Sequence, residues 1–189
     1  MTYPHRIARA VSLGAVALAC SACSPTGADT APVNAAEPRR LPTGAVLDPA
    51  GARSDVGSLP LAVVASPDSA FLLLLLNGWR QQGVQVVDRR TGVVVQTAEQ
   101  TAAFIGLTFS PDGRTVFASG GNTDAVYRYD WDGKRLARRD SLTIRVKRNP
   151  SASGTSYPAG LAVSRDGRRL YVAENLADSV AVVDLASGA

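Results

Sequence analysis

Cysteine runs out early: the chain has only Cys20 and Cys23, and none follows. No internal disulfide or thiolate metal site can therefore form in the part after position 23. Histidine is scarcer still, with His5 as its single instance. The rest of the chain cannot build a Ser-His-Asp triad, a histidine zinc site or an imidazole haem ligand set. Aromatic residues are few, four Phe, two Trp and five Tyr, against seventeen Gly and eleven Pro. That balance argues against long helices and for many short strands joined by turns. No Asp-rich calcium loop is visible, and the sequence gives no reason to expect a metal or another cofactor. What is plentiful is apolar content, 46% of 189 residues, enough for a buried core.

Charge excludes one function class. Twenty Lys and Arg face sixteen Asp and Glu, a formal +4. Arg6 and Arg9 lie in a leader-like start, and without them the balance is 18 to 16. The remaining cations are interleaved with acids instead of forming a stripe, so a nucleic-acid partner is not expected.

Residues 1–23 have the layout of an export signal: a basic start at His5, Arg6 and Arg9, an apolar run from Ala10 to Ala19, then small residues and cysteines. The run is too short for a membrane-spanning helix, which needs roughly 20 residues. Leu18-Ala19-Cys20-Ser21-Ala22-Cys23 resembles a bacterial lipobox, in which small residues precede a cysteine that is lipidated. Cys20 and Cys23 both fit that role, and a non-lipidated signal peptide is the alternative. The expectation is an exported protein held at the cell envelope, periplasmic or on the outer surface, touching membrane only through an N-terminal lipid. Residues 24–56, poor in large apolar side chains up to about Pro42, read as a flexible tether with a candidate closing strand.

From residue 57 onward the chain repeats itself. Ser66-Pro67-Asp68-Ser69, Ser110-Pro111-Asp112-Gly113 and Ser164-Arg165-Asp166-Gly167 are three copies of one turn, their aspartates 44 and 54 positions apart. The longer interval contains a Ser-, Gly- and Asn-rich stretch from Arg145 to Tyr157, a long loop carrying the cations Arg145, Lys147 and Arg148. Before each turn stands an apolar strand, such as Leu61 to Ala65. After it comes a second, such as Phe71 to Leu76, ending near Asn77, Asn122 or Asn175. A third strand closes on Asp88, Asp130 or Asp184. A fourth is visible at Val93 to Thr97 and at Arg135 to Leu142. Four short antiparallel strands at a period in the forties describe a β-propeller blade. The blades span about 60–100, 104–145 and 158–189. The last lacks its fourth strand, so the chain is expected to be an incomplete arc of a longer propeller. Leu72 to Leu76, apolar without alternation, is expected to be covered on both sheet faces.

Leu170-Tyr171-Val172-Ala173-Glu174-Asn175 and Val182-Val183-Asp184 with Ser187-Gly188 resemble the YVTN-type repeats of YncE-like propellers. Leu41-Pro42-Thr43-Gly44, Asp55-Val56-Gly57 and Gly78-Trp79-Arg80 are similar to bacterial proteins in which such a propeller precedes an alkaline-phosphatase-like domain. The resemblance implies the fold for about residues 57–189 and leaves function open. The leading expectation is a non-catalytic module binding a protein or small molecule on one rim. The alternative is the front of a hydrolase, phosphatase-fused or lactonase-like. Rim candidates are Asn77, Trp79 and Arg80 in the first loop between second and third strands, Asn122 and Asp124 in the second, and Glu174, Asn175 and Asp178 in the third. Trp79 offers a stacking face and Arg80 a fork for an anion. Against this stands a plainer reading, in which Trp79 covers the neighbouring blade and the asparagines shape turns. The recurring aspartates, Asp68, Asp112 and Asp166 as well as Asp88, Asp130 and Asp184, read as turn formers.

Overall fold

The computed structural model describes residues 39–47, 51, 53–147, 149 and 152–188. Both cysteines, the export segment and Arg148 lie outside the described residues. Two units are distinguished, residues 1–49 and 50–189. The described part of the first is a short antiparallel pair, β1 (Arg39–Arg40) and β2 (Val46–Leu47).

In the second unit the repeated turns share one hydrogen-bond pattern. The serine hydroxyl donates to the aspartate Oδ1 at 2.5 Å in Ser66–Asp68, 2.5 Å in Ser110–Asp112 and 2.6 Å in Ser164–Asp166. The same serine oxygen accepts the backbone N–H of Phe71, Thr115 or Arg169, each at 2.9 Å. The aspartate accepts the N–H two residues on, from Ala70, Arg114 or Arg168. Side chains thus supply the turn's bonds, and each aspartate is a turn former. The fourth turn residue is left-handed in every copy: Ser69 at φ 58°, Gly113 at 70° and Gly167 at 71°. Only the first copy places a Cβ there, at a steric cost of roughly 1–2 kcal/mol. Ser69→Gly is expected to raise the unfolding free energy by about 0.5–1 kcal/mol, the greater freedom of glycine in the unfolded chain offsetting part of the relief. Urea unfolding checks this, and a loss of stability would contradict it.

Three antiparallel sheets follow in sequence order. The first is β3 (Pro60–Ala65), β4 (Phe71–Asn77), β5 (Gln82–Asp88) and β6 (Val94–Glu99). The second is β7 (Leu107–Phe109), β8 (Thr115–Ser119), β9 (Ala125–Trp131) and β10 (Leu136–Thr143). The third is β11 (Pro158–Val163), β12 (Arg169–Glu174) and β13 (Ser179–Asp184). The chain is all-β, an arc of three propeller blades, the third having three strands among the described residues.

One core lies between blades one and two: Leu73, Leu75, Val84 and Val86 meet Leu107, Val116, Ala118, Tyr127 and Tyr129. Phe71 and Phe109 both stand edge-on to Trp131. A second core joins Phe117, Val126 and Leu142 of blade two to Leu170, Val172 and Val183 of blade three. Polar groups fasten the first seam. Gln96 exchanges two 2.8 Å bonds with the backbone of Leu136, and the Tyr129 hydroxyl donates to Gln100. Near the inner edge, a Cβ on Gly106 would come within 1.9 Å of the Ala159 carbonyl oxygen, so only glycine admits this approach.

Two expectations change. Leu72 to Leu76 does alternate: Leu73 and Leu75 are buried against blade two, whereas Leu72 and Leu74 are half-buried on the arc's outer face. Leu76 is covered there by the 53–59 segment, where Gly57 donates its N–H to Gln85. Residues 53–59 form no strand; the strands described within 24–56 are β1 and β2. Asp130 is not a turn former. Strand β9 runs one residue past it, so Asp132 accepts the N–H groups of Lys134 and Arg135, while Asp130 pairs with Arg139. Asp88 and Asp184 hold their turns as expected, accepting from Thr91 and from Ala186 and Ser187.

Candidate functional site

The meander topology puts two kinds of connection at one end of the blades: the loops between second and third strands, and the links from blade to blade. This is the loop end, and all eight rim candidates lie on it. They divide into side chains that hold the fold and side chains that face water.

Asp124 belongs to the first group. It ends the 3₁₀ turn Gly121–Thr123 in a left-handed conformation at φ 54° and is fully buried. Oδ1 accepts the N–H groups of Ser156 and Tyr157, both at 2.9 Å, and Oδ2 accepts that of Thr155 at 2.8 Å. Its carbonyl oxygen accepts from Ile144 and Arg145. Burial pushes its pKa up, but the N–H groups of Tyr157, Thr155 and Ser156, with Lys147 nearby, outweigh this and hold the carboxyl below its ordinary 3.8. Asn122 accepts the Gly154 N–H at 2.7 Å. Gly154 itself leaves no room for a side chain, since a Cβ would lie 2.7 Å from Asp124 Oδ1. The long link after β10 is thus clamped at its far end by blade two.

Glu174 completes the clamp from blade three. Oε1 accepts the Ser156 hydroxyl at 2.6 Å and an Arg145 N–H at 3.3 Å, and Oε2 accepts the Ser179 hydroxyl at 2.8 Å. The Ser156 bond does most to lower its pKa below the ordinary 4.5; burial opposes, and Ser179 and Arg145 assist. Asn77 pairs with Gln82 in the β4–β5 ladder and donates its N–H to Leu59. Asn175 donates its N–H to Tyr157, and Asp178 is an exposed left-handed residue at φ 50°.

Trp79 and Arg80 belong to the second group, with the exposed Asn175 and Asp178. Trp79 is 98% exposed and covers neither of the other two blades. Arg80 beside it is also exposed. Their loop is nonetheless fixed: a Cβ on Gly78 would sit 2.5 Å from Ser58 Cβ, and the Asn77 N–H is tied to Leu59. The indole and guanidinium are presented to water from a held backbone. Sequence reasoning missed the clamp residues Thr155 and Ser156, which carry no motif, and the seam residues Gln96 and Gln100. Among the described residues, no cluster of three or more His, Cys, Asp or Glu side chains could hold a metal ion.

No family model matches the chain, and no curated protein does. Solved structures do. A 6-phosphogluconolactonase-like protein from Bacteroides uniformis aligns at TM-score 0.55 and 18% identity, over 76% of this chain and 45% of its own. The periplasmic gluconolactonase of Pseudomonas aeruginosa aligns at 0.52 and 24%, over 69% and 38%. A β-propeller domain from Myceliophteria thermophila aligns at 0.51 and 11%, over 69% and 39%. This chain spans less than half the length of each. At these identities the likeness is one of fold, and it places the three blades in the β-propeller fold.

Proposed function

We propose that residues 57–189 are the front of a YVTN-type propeller in an exported, lipid-anchored protein, and that the loop end is its recognition face. The observation that carries this is Trp79. An indole left 98% in water on a fixed loop stands next to an exposed arginine, and Trp and Arg are among the residue types enriched at binding hot spots. The clamp formed by Asp124, Asn122 and Glu174 supports the reading by fixing the neighbouring loops. A partner then meets a surface with little ordering entropy left to lose. The partner is a protein with an aromatic-accepting cleft and an acidic group, or a small anionic molecule with a flat face that stacks on the indole. The lipid, on Cys20 or Cys23, would keep the module at the envelope.

Site-specific photocrosslinking in the native envelope tests this. A crosslinker at position 79 should give a discrete adduct that Arg80→Ala weakens, and one at Arg114, on the opposite turn end, should give none. Equal labelling from both positions would end the proposal. The hydrolase alternative, whether lactonase-like or fused to a phosphatase, is supported by likeness of fold and by short motifs alone.

A further inference from the structure

Two residues break the repeat, and both line one cavity. The second position of the turn is Pro67 in copy one and Pro111 in copy two, but Arg165 in copy three. The β5 residue opposite Leu73 is Val86; its counterpart in β9, opposite Phe117, is Arg128, and in β13, opposite Tyr171, it is Val182. Proline at the turn position presets φ, and an apolar residue suits a blade face, so each arginine forgoes a local advantage. Both line a cavity of about 350 Å³ between the turn ends of blades two and three, with Phe117 and Leu185 as apolar walls and Ser110 and Thr115 as polar ones. The corresponding groove between blades one and two has neither. It is lined by Pro67 and by Asp68, Asp112, Asp130 and Asp132 against only Arg114 and Arg139.

The electrostatics single out one cation. Arg128 gives Nε and Nη2 to Asp140 at 2.6 and 2.5 Å, which fixes the guanidinium plane and leaves Nη1. Arg139 pairs with Asp130. Arg165 has no carboxylate partner among the described residues. Asp112 and Asp166 also line the cavity, but each has Oδ1 turned to its serine hydroxyl and to a backbone N–H.

We propose that this cavity binds a small organic anion, one phosphate or carboxylate head on a ring-sized apolar body. Arg165 and Nη1 of Arg128 would take the head, and Phe117 and Leu185 the body. The site is separate from the loop end, and it does not rest on the function proposed above. Phenyl phosphate and benzoate, titrated by calorimetry at low salt, are suitable probes. At least one should bind saturably, and Arg165→Pro, which restores the turn of the other two copies, should weaken it at least fivefold. Arg165→Gln, which adds no backbone constraint, should do the same. Trp79→Ala should leave binding unchanged. Absence of saturable binding by both probes, or equal affinity in wild type and both Arg165 variants, would overturn the proposal.

Discussion

Asp124→Ala is expected to lower the unfolding free energy by about 3 kcal/mol, since it removes a buried charged acceptor and leaves several donors without their partner. Three backbone N–H groups end on this carboxylate, at 2.8, 2.9 and 2.9 Å. The side chain has no exposure through which water could replace it. Asp124→Asn should cost less. It keeps the left-handed backbone that asparagine tolerates and retains one oxygen, but points an NH₂ at the remaining N–H groups. Denaturant unfolding of the two variants checks the order, and equal losses would show that charge and shape contribute nothing separately.

The same carboxylate fixes a pH dependence. Asp124 and Glu174 both have pKa values lowered in the folded state from ordinary values of 3.8 and 4.5. A carboxyl lowered on folding adds stability that is fully present above its unfolded pKa and disappears as pH falls through the folded value. Stability should therefore hold from neutral pH to about 5 and fall progressively below it. The acid-induced loss should be smaller in the Asp124→Asn, Glu174→Gln double variant, because those groups no longer titrate.

Leu73→Ala is expected to cost about 3–4 kcal/mol, within the usual range for a fully buried leucine. Leu73 lies in the seam where blade one meets blade two, between Val64 and Val86 on its own sheet. Val182, the blade-three counterpart of the Val86 that stands opposite Leu73, offers the contrast. Val182 is 54% exposed, and Val182→Ala should change stability by no more than about 0.5 kcal/mol. If the two substitutions cost the same, the blades do not pack as described.

Much of this fold was legible in the residues because its signals are local. A serine bonding an aspartate two positions away needs nothing distant, so the three turns could be read directly. The strands between them followed from length and apolar content. What resisted reading depends on partners far along the chain. Gln96 meets the backbone of Leu136 forty residues away, and nothing near either announces it. Asp130 stands where Asp88 and Asp184 stand in the repeat. Its strand runs on to Trp131, however, and the turn passes to Asp132. The rim candidates show the same limit. Asp124 and Glu174 read as loop acids, and only tertiary structure reveals that one is buried under backbone donors and the other under two serine hydroxyls and an arginine. Trp79 was identified by type and loop position; whether it covered a blade or faced water depended on neighbours that sequence spacing does not fix.

The recognition reading stands on the contrast between two indoles, Trp79 at 98% exposure and Trp131 at 9%. Iodide quenching of tryptophan fluorescence measures it directly. Wild type should show two populations, one quenched nearly as strongly as free indole and one protected, and Trp79→Ala should abolish the first while leaving the protein folded. Two protected indoles would contradict the account, because Trp79 would then be part of the packing and could not be a free recognition side chain.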